Sequence, residues 1–209
     1  MPRFLLPLLI ATSTLAWPAD QDCGTPPGAA VADGQVSATA HFTTGNGFLT
    51  VTIWNALADP LSAGQLVNGL AFTLSGGQVD GSLAPSAGTI RNVTTSGAFN
   101  DSGSSVTGWA LADRYNGGFG LCVLCKDLGS AGPSHLLIGP PALSGNYDSA
   151  NRSIAGNRPH NPLLAGPVMF TINVPGVTQD STITSAVFSF GTQQGITVGG
   201  VCTGRPIRS

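Results

Sequence analysis

The chain has no glutamate, and Lys126 is its only lysine. All 10 of its acidic residues are therefore aspartates, and only 9% of its 209 residues carry a charge. Glutamate and lysine are among the residues that favour helices, so their scarcity argues against a helical protein. The formal net charge of -2 comes without any basic cluster, which leaves nucleic-acid binding and electrostatic membrane docking unsupported.

Several catalytic motifs are also missing. The sequence has no G-x-S-x-G nucleophile elbow, no H-E-x-x-H zinc motif and no phosphate-binding or dinucleotide-binding glycine fingerprint. Asp101 lies in "NDSGSS", which is similar to the Asp-Ser-Gly of aspartic proteases, but no second Asp-Ser/Thr-Gly is present to share its proton. The sequence thus nominates no catalytic residue and no cofactor, and it predicts a protein that is not an enzyme. An extracellular hydrolase built from dispersed residues stays open as an alternative.

The N-terminus, "MPRFLLPLLIATSTLAWPAD", has the layout of a secretory signal peptide, with Arg3 before an apolar run over residues 4–16. Cleavage is expected after Ala16, with Ala19 as the alternative. The run is shorter than the ~20 residues that a membrane-spanning helix needs. The sequence therefore predicts secretion, or a place in the periplasm or at the cell surface, without stable membrane insertion after cleavage.

Alternation with a period of two is the main structural signal in the rest of the chain. In "QVSATAHF" every second residue from Val36 to Phe42 is apolar, and a turn at Asn46-Gly47 leads into "FLTVTIW". Later segments repeat the alternation, with these apolar residues on one face: Leu70, Phe72 and Leu74; Val168, Phe170, Ile172 and Val174; Ala186, Phe188 and Phe190. Short strands separated by Asp-Gly and Asn-Gly turns predict an all-β protein, an antiparallel β-sandwich or jelly-roll with little helix.

The predicted organisation after the signal peptide is simple. Residues 20–34 are predicted to form an extended entry segment that is held by Cys23. Residues 35–209 are predicted to form one β-sandwich domain. A small helix is expected near residues 58–66. After removal of the signal peptide, roughly 190 residues remain, which is enough for one hydrophobic core of this kind.

Four cysteines in an exported chain predict two disulfides, for which the sequence alone allows three connectivities. Pairing Cys23 with Cys202 joins the two ends of the mature chain, and it leaves Cys122 and Cys125 as a local pair. In a straight strand the Cα atoms of the local pair would lie about 10 Å apart, too far for a bridge. The favoured pairing therefore requires a bend between them, and crossed pairing is the alternative.

The stretch from His135 to Pro162, "HLLIGPPALSGNYDSANRSIAGNRPHNP", is rich in turn formers and prolines and predicts an ordered connection at one end of the sandwich. Its His135, Asp148 and His160 are the candidate metal ligands. Asn146 and Asn151, together with Asp148, offer oxygens to calcium, although the EF-hand loop pattern is absent. The competing interpretation is that Asn and Asp cap turns here and that no metal binds.

Exposed aromatic residues are the candidates for ligand binding. Trp54 lies on the opposite side of its strand from Leu49 and Val51, so it is expected to point outward, and Tyr115 and Tyr147 are the next candidates. Trp109 shares a face with Leu111 and is expected in the core. An outward aromatic face predicts sugar stacking, unless the strand phase is shifted by one residue or a loop covers the ring.

Several ordered segments, "SAGQLVNGLAFTLSGG", "VTGWAL", "HLLIGPP", "NRSIAGNRPHNP" and "FTINVPGVTQDSTITSAVFSFGT", carry a resemblance to a family. Together they resemble exported bacterial surface or matrix proteins that often carry a PEP-CTERM sorting tail. The resemblance spans residues 35–191 and implies a β-rich exported protein, with no catalytic residues to carry over. This chain lacks the Pro-Glu-Pro tail and ends in "GRPIRS", so the resemblance implies release rather than membrane-linked sorting.

The sequence thus supports two hypotheses of different kinds beside the hydrolase alternative. The first is a noncatalytic secreted β-sandwich protein with an adhesive or structural role in the cell envelope or extracellular matrix. The second is a carbohydrate-binding module that uses exposed aromatics, with calcium as a possible aid. The expected partners are extracellular polysaccharide or other surface proteins.

Overall fold

The computed structural model describes residues 20–125 and 134–204. The predicted signal peptide, Lys126 and residues 205–209 lie outside these ranges. In chain order the strands are β1 (Asp20–Gly24), β2 (Ala30–Val31), β3 (Gly34–Gln35), β4 (Ala38–Thr44), β5 (Phe48–Asn55), β6 (Val67–Leu74), β7 (Ser82–Leu83), β8 (Ala87–Val93), β9 (Phe99–Val106), β10 (Ala110–Tyr115), β11 (Gly118–Cys122), β12 (Leu137–Ile138), β13 (Leu163–Ala165), β14 (Val168–Asn173), β15 (Ile183–Phe190), β16 (Thr197–Gly199) and β17 (Val201–Gly204). A short 3₁₀ helix, Ala63–Gln65, lies between β5 and β6. No helix in the described ranges is long and apolar enough to cross a bilayer.

The first sheet has six strands in the order β17-β1-β4-β5-β14-β7, and every pair in it is antiparallel. β4 and β5 form the predicted hairpin, with Phe42 opposite Val51 and Ala40 opposite Ile53. Because successive side chains point to opposite faces, this register places all four residues on the same side of the sheet. All four are fully buried there.

The second sheet has nine strands and is built around β6, which pairs with β11, β12 and β15. From β12 the sheet continues through β13 and β8 to β9, while β10 extends it beyond β11 and β16 beyond β15. The β12–β13 pair is parallel, and all other pairs in the sheet are antiparallel. The sheet is therefore mixed and branched at β6.

A single hydrophobic core lies between the two sheets. Phe42 from the first sheet meets Phe72 from the second edge-on at 5.2 Å between ring centroids, and Phe72 stacks on Phe119 at 5.4 Å. Trp109 packs 5.3 Å from Phe170 and is 6% exposed, as predicted for a core residue. The prediction of an all-β sandwich is confirmed, and the alternating apolar residues supply its core.

The segment over residues 20–34 is more structured than the predicted entry segment. β1 hydrogen-bonds to β4 on one side and to β17 on the other, so it is an inner strand of the first sheet. β2 and β3 form a small hairpin of their own. Cys23 is the only buried residue of β1, so no apolar alternation in the sequence marks this strand.

The two disulfides have the favoured connectivity. Cys23 of β1 and Cys202 of β17 are directly opposite in the register and are bonded, with their Cα atoms 4.0 Å apart. Cys122 is bonded to Cys125, and their Cα atoms are 5.4 Å apart because the chain bends at residues 123 and 124. The predicted bend is therefore present.

Candidate functional site

The outer surface of the first sheet carries the predicted outward tryptophan. Leu49, Val51 and Ile53 of β5 are fully buried, whereas Trp54 is half-buried on the opposite side of the strand, with Thr50 and Thr52. We define the Trp54 face as the surface formed by Asp22, His41, Thr52, Trp54, Pro167 and Met169. The prediction that Trp54 points away from the core is confirmed.

The register places these residues in two neighbouring rows. Asp22, His41, Thr52 and Met169 lie opposite one another across β1, β4, β5 and β14. With adjacent strands about 4.8 Å apart, this row is roughly 14 Å long. Trp54 is in the next row, and together with Thr52, His41, Asp22 and Pro167 it lines a shallow depression of about 500 Å³.

The centre of the Trp54 face is apolar. Trp54 and Pro167 lie side by side, and Met169, which is 60% exposed, extends the apolar surface. The indole N–H of Trp54 has no hydrogen-bond partner within residues 20–125 and 134–204, so it is available to a ligand. A flat ring with an unused donor suits a ligand that has both an apolar side and polar groups.

A histidine and two aspartates form the polar flank of this face. The Nδ1 atom of His41 is 2.7 Å from Oδ1 of Asp22, which fixes the ring with its Nδ1–H toward that carboxylate. Oδ1 of Asp20 is 3.7 Å from Nε2 of His41 and accepts a hydrogen bond of 2.8 Å from the Thr43 hydroxyl. These side chains are well exposed, so their mutual contacts contribute little to stability and they are open to a ligand.

Threonines surround this centre. They occupy the outward positions of three adjacent strands: Thr39 and Thr43 of β4, Thr50 and Thr52 of β5, and Thr171 of β14. Threonine favours strands, and its hydroxyl both donates and accepts hydrogen bonds. The outer surface of the first sheet is therefore broad and mostly neutral, with Trp54, the exposed Phe48 at the start of β5 and one acidic flank.

The arrangement of His41 and Asp22 is the closest approach to catalytic geometry on this face. An activated nucleophile needs a hydrogen bond of about 2.6 to 3.2 Å to its base. The Thr43 hydroxyl is 3.5 Å from Nε2 of His41 and donates its hydrogen to Asp20 instead. The backbone N–H groups of β1 and β4 are used in the sheet, so this part of the surface offers a ligand side chains rather than an oxyanion hole.

Tyr115, the second predicted binding aromatic, lies on the other sheet. It is 49% exposed at the end of β10, and its ring covers Gly120 of β11. Beside it runs a shallow groove whose floor consists mainly of small residues: Gly69, Ala71, Ala112, Gly120 and Ser189. Tyr115 and Trp54 therefore belong to different outer faces and do not form one platform.

Tyr147, the third predicted binding aromatic, is only 1% exposed, so its ring cannot stack on a ligand here. Its hydroxyl donates to the carbonyl oxygen of Gly139 at 2.8 Å and accepts from Nη1 of Arg91 at 2.8 Å. Burial raises the pKa of Tyr147. The expectation of an exposed ring is wrong because the ring fastens the long connection after β12 to β8.

Arg91 forms a cluster with Tyr147, Asp101 and Phe99, which we call the anchor cluster. Its guanidinium makes two hydrogen bonds of 2.7 Å to the carboxylate of Asp101 and lies 4.0 Å from the Phe99 ring centroid. The hydrogen bonds from Arg91 lower the pKa of Asp101. A bidentate ion pair beside an aromatic ring is a rigid arrangement. The cluster is accordingly an anchor for the connection, which is ordered as predicted.

The three predicted metal ligands do not come together. Nδ1 of His135 is 2.9 Å from the carbonyl oxygen of Thr107, Nδ1 of His160 contacts the carbonyl oxygen of Ser153, and Asp148 accepts from Ser144. Within the described ranges no group of three histidine, cysteine or acidic side chains is placed to hold a metal ion. The proposed metal site is therefore not formed, because each side chain fixes a separate turn.

Sequence reasoning missed the polar flank of the Trp54 face. Asp20, Asp22, His41 and Thr43 each occupy alternate positions of a strand, which is the signal that they share a face. Their proximity depends on the pairing of β1 with β4. A single sequence does not reveal that pairing.

Comparison of the chain with protein-family models, with curated protein sequences and with solved structures finds no match.

Proposed function

We propose that the protein is an exported, noncatalytic β-sandwich with an adhesive role, and that its Trp54 face binds extracellular polysaccharide. The observation that carries this proposal is the outward Trp54 beside Pro167 and Met169, bordered by the His41–Asp22 pair. Apolar C–H groups of a sugar ring pack on the aromatic ring, while its hydroxyl groups hydrogen-bond to the flanking polar side chains.

The shape of the site favours a polymer over a single small molecule. The depression is shallow, and the row from Asp22 to Met169 crosses four strands, so a ligand must gain its affinity along an extended surface. A chain of sugar rings offers repeated contacts of this kind. Multiple weak contacts along one polymer raise the overall affinity without a deep pocket.

The compartment is part of the same proposal. The predicted signal peptide and the resemblance to exported PEP-CTERM-type proteins support export, and the Cys23–Cys202 and Cys122–Cys125 disulfides suit an oxidising environment. Intact-mass analysis of the exported protein tests it. Cleavage after Ala16 yields a chain that begins at Trp17 and carries no free thiol, whereas an uncleaved chain with four free thiols contradicts export.

A glycan array probed with the exported protein tests the binding proposal. Replacing Trp54 by alanine is expected to weaken binding to the positive glycans by at least about 10-fold, because a central aromatic contact of this kind is worth more than ~1.4 kcal/mol. Tyr115→Ala is the matched control, since it removes an exposed aromatic from the other sheet. Equal binding by the wild type and Trp54→Ala would refute the proposal.

The His41–Asp22 pair favours hydrolysis as a second candidate function. The geometry supports it less well, because the Thr43 hydroxyl donates to Asp20 and the site is open to solvent. Incubating the protein with a polysaccharide that binds on the array and counting new reducing ends distinguishes binding from hydrolysis. We expect no release of reducing ends above the buffer control. Release that disappears in His41→Ala would instead indicate that the protein hydrolyses the polysaccharide.

A further inference from the structure

A second, separate cleft lies at the end of the sandwich, away from every residue of the Trp54 face. Four segments form it: the turn between β2 and β3, the start of the 3₁₀ helix, the connection over residues 151–160, and the link between β15 and β16. Its volume is about 360 Å³. Its polar lining includes Asp33, Ser62, Asn151, Ser153 and His160.

The walls of the cleft are held together by hydrogen bonds between its segments. The Ala63 N–H donates to Oγ of Ser153 at 2.8 Å, and the Asn151 N–H donates to the carbonyl oxygen of Leu61 at 2.8 Å. The Gly191 N–H donates to the carbonyl oxygen of Leu66, also at 2.8 Å. Nε2 of Gln65 donates to the carbonyl oxygen of Gln35 at 2.8 Å, which ties the β2–β3 hairpin to the helix. The four segments are thus fixed relative to one another, and the cleft is preformed.

Two side chains keep unused donors in the cleft. Oγ of Ser62 accepts from the Gly64 N–H at 3.2 Å, and Oδ1 of Asn151 accepts from both the N–H and the hydroxyl of Ser153. The hydroxyl hydrogen of Ser62 and the amide NH₂ of Asn151 have no acceptor within residues 20–125 and 134–204. Both groups are therefore ready to donate to a ligand.

Two other side chains supply acceptors. Nδ1 of His160 faces the carbonyl oxygen of Ser153, which accepts only, so the Nδ1–H tautomer is the one that fits and its Nε2 is the acceptor left over for a ligand. The carboxylate of Asp33 makes no hydrogen bond to the part of the chain that the structure describes. Its side chain occupies the space where Gly64 lacks a Cβ, so this glycine lets the carboxylate enter the cleft.

We propose that this cleft binds one uncharged monosaccharide unit. Each sugar hydroxyl donates and accepts, which matches a cleft that holds the Ser62 and Asn151 donors together with the Asp33 and His160 acceptors. The negative charge of Asp33 disfavours anionic sugars. This site would stand even without polysaccharide binding at the Trp54 face, because the two sites share no residue.

Titration of the isotope-labelled full mature protein with the methyl glycosides of glucose, galactose and mannose tests this inference by NMR. At least one of them is expected to give saturable shifts at the amides of Gly64, Asn151 and Ser153. Asp33→Asn should weaken that binding by about 10-fold, since the acceptor loses the negative charge that strengthens its hydrogen bond. Asp180→Asn, the same change at an exposed carboxylate in another turn, should leave the binding unchanged.

Three results would overturn the inference. One is the absence of saturable shifts at ~50 mM of every glycoside, well above the millimolar range of weak ligands. Another is equal binding of methyl glucuronide, which would remove the role of the Asp33 charge. The third is loss of the cleft shifts in Trp54→Ala, which would assign them to the other site. The matching disaccharide, if it binds as well, identifies the ligand as the end of a glycan rather than a free sugar.

Discussion

The outer faces of the two sheets follow the same alternation but carry different chemistry. On the first sheet the outward positions hold threonines, Trp54 and the His41–Asp22 pair. On the second sheet they hold mainly small residues, with Tyr115 at one side. Beneath both faces the inward positions are filled by the same kinds of large apolar residue.

The fold requires large apolar residues at the inward strand positions and leaves the residue type at the outward positions free. Burial of alternate residues fixes the inner faces, because each large side chain there contributes about 1.5 to 3 kcal/mol. The outer positions are under no such demand, so the adjoining apolar side chains of Trp54, Pro167 and Met169 make this face a candidate for function. Gly120 on the second sheet has a structural reason instead, since the Tyr115 ring packs directly against it.

The largest expected difference between the sheets concerns their disulfides. Replacing Cys23 and Cys202 of the first sheet by serine removes a link between residues 179 apart, whereas Cys122 and Cys125 are only 3 apart. The chain-entropy relation gives losses of about 5 and about 2 kcal/mol. Urea unfolding of the two double variants measures this difference, and equal losses would contradict it.

Core truncation is expected to affect both sheets alike. Phe72→Ala in the second sheet and Phe170→Ala in the first each remove a buried ring and should cost about 3 to 5 kcal/mol. Phe72 contacts rings of both sheets, and Phe170 contacts Trp109. Thermal and urea unfolding report the losses, and a cost below ~1 kcal/mol at either position would argue against the shared core.

The anchor cluster predicts a loss of stability in alkali. The raised pKa of Tyr147 means that the unfolded chain loses this proton first, so the contribution of Tyr147 is complete below about pH 10 and declines above it. In Tyr147→Phe this decline should disappear, while about 1 to 3 kcal/mol is lost at neutral pH with the two hydrogen bonds. Unfolding free energies from pH 7 to 11 test both parts. An unchanged alkaline decline in the variant would assign it to other groups.

Truncation of outward side chains should have the smallest effect on folding. Thr52→Ala on the Trp54 face and Ser189→Ala on the second sheet should each change the unfolding free energy by less than about 0.5 kcal/mol. Glycan binding then distinguishes the two variants: only Thr52→Ala should weaken it, because only Thr52 lies on the proposed polysaccharide site. A change above ~1 kcal/mol in either variant would show that the outer faces support the fold.

The sequence was sufficient for features that depend on local alternation. The β4–β5 hairpin, the outward direction of Trp54 and the core position of Trp109 all follow from a period of two. The bend between Cys122 and Cys125 followed from the distance that a disulfide tolerates. Each of these features is encoded within a few residues.

Features that depend on contacts between distant segments of the chain could not be predicted from the sequence. β1 has one fully buried residue, Cys23, so no apolar pattern marked it as a strand. Tyr147 lies in a connection without periodicity, and its burial depends on Arg91, which is 56 residues away. The cleft around Asp33 and His160 combines four segments, and their meeting is a property of the whole sandwich.

The most direct test of the polysaccharide site is the indole N–H signal of Trp54 in an NMR titration with an oligosaccharide cut from a glycan that binds on the array. We expect this signal and the amides of His41 and Thr52 to shift together and to saturate, while the indole signal of the buried Trp109 stays in place. Shifts confined to the groove beside Tyr115, or an unmoved Trp54 signal at saturation, would contradict the proposed role of the Trp54 face.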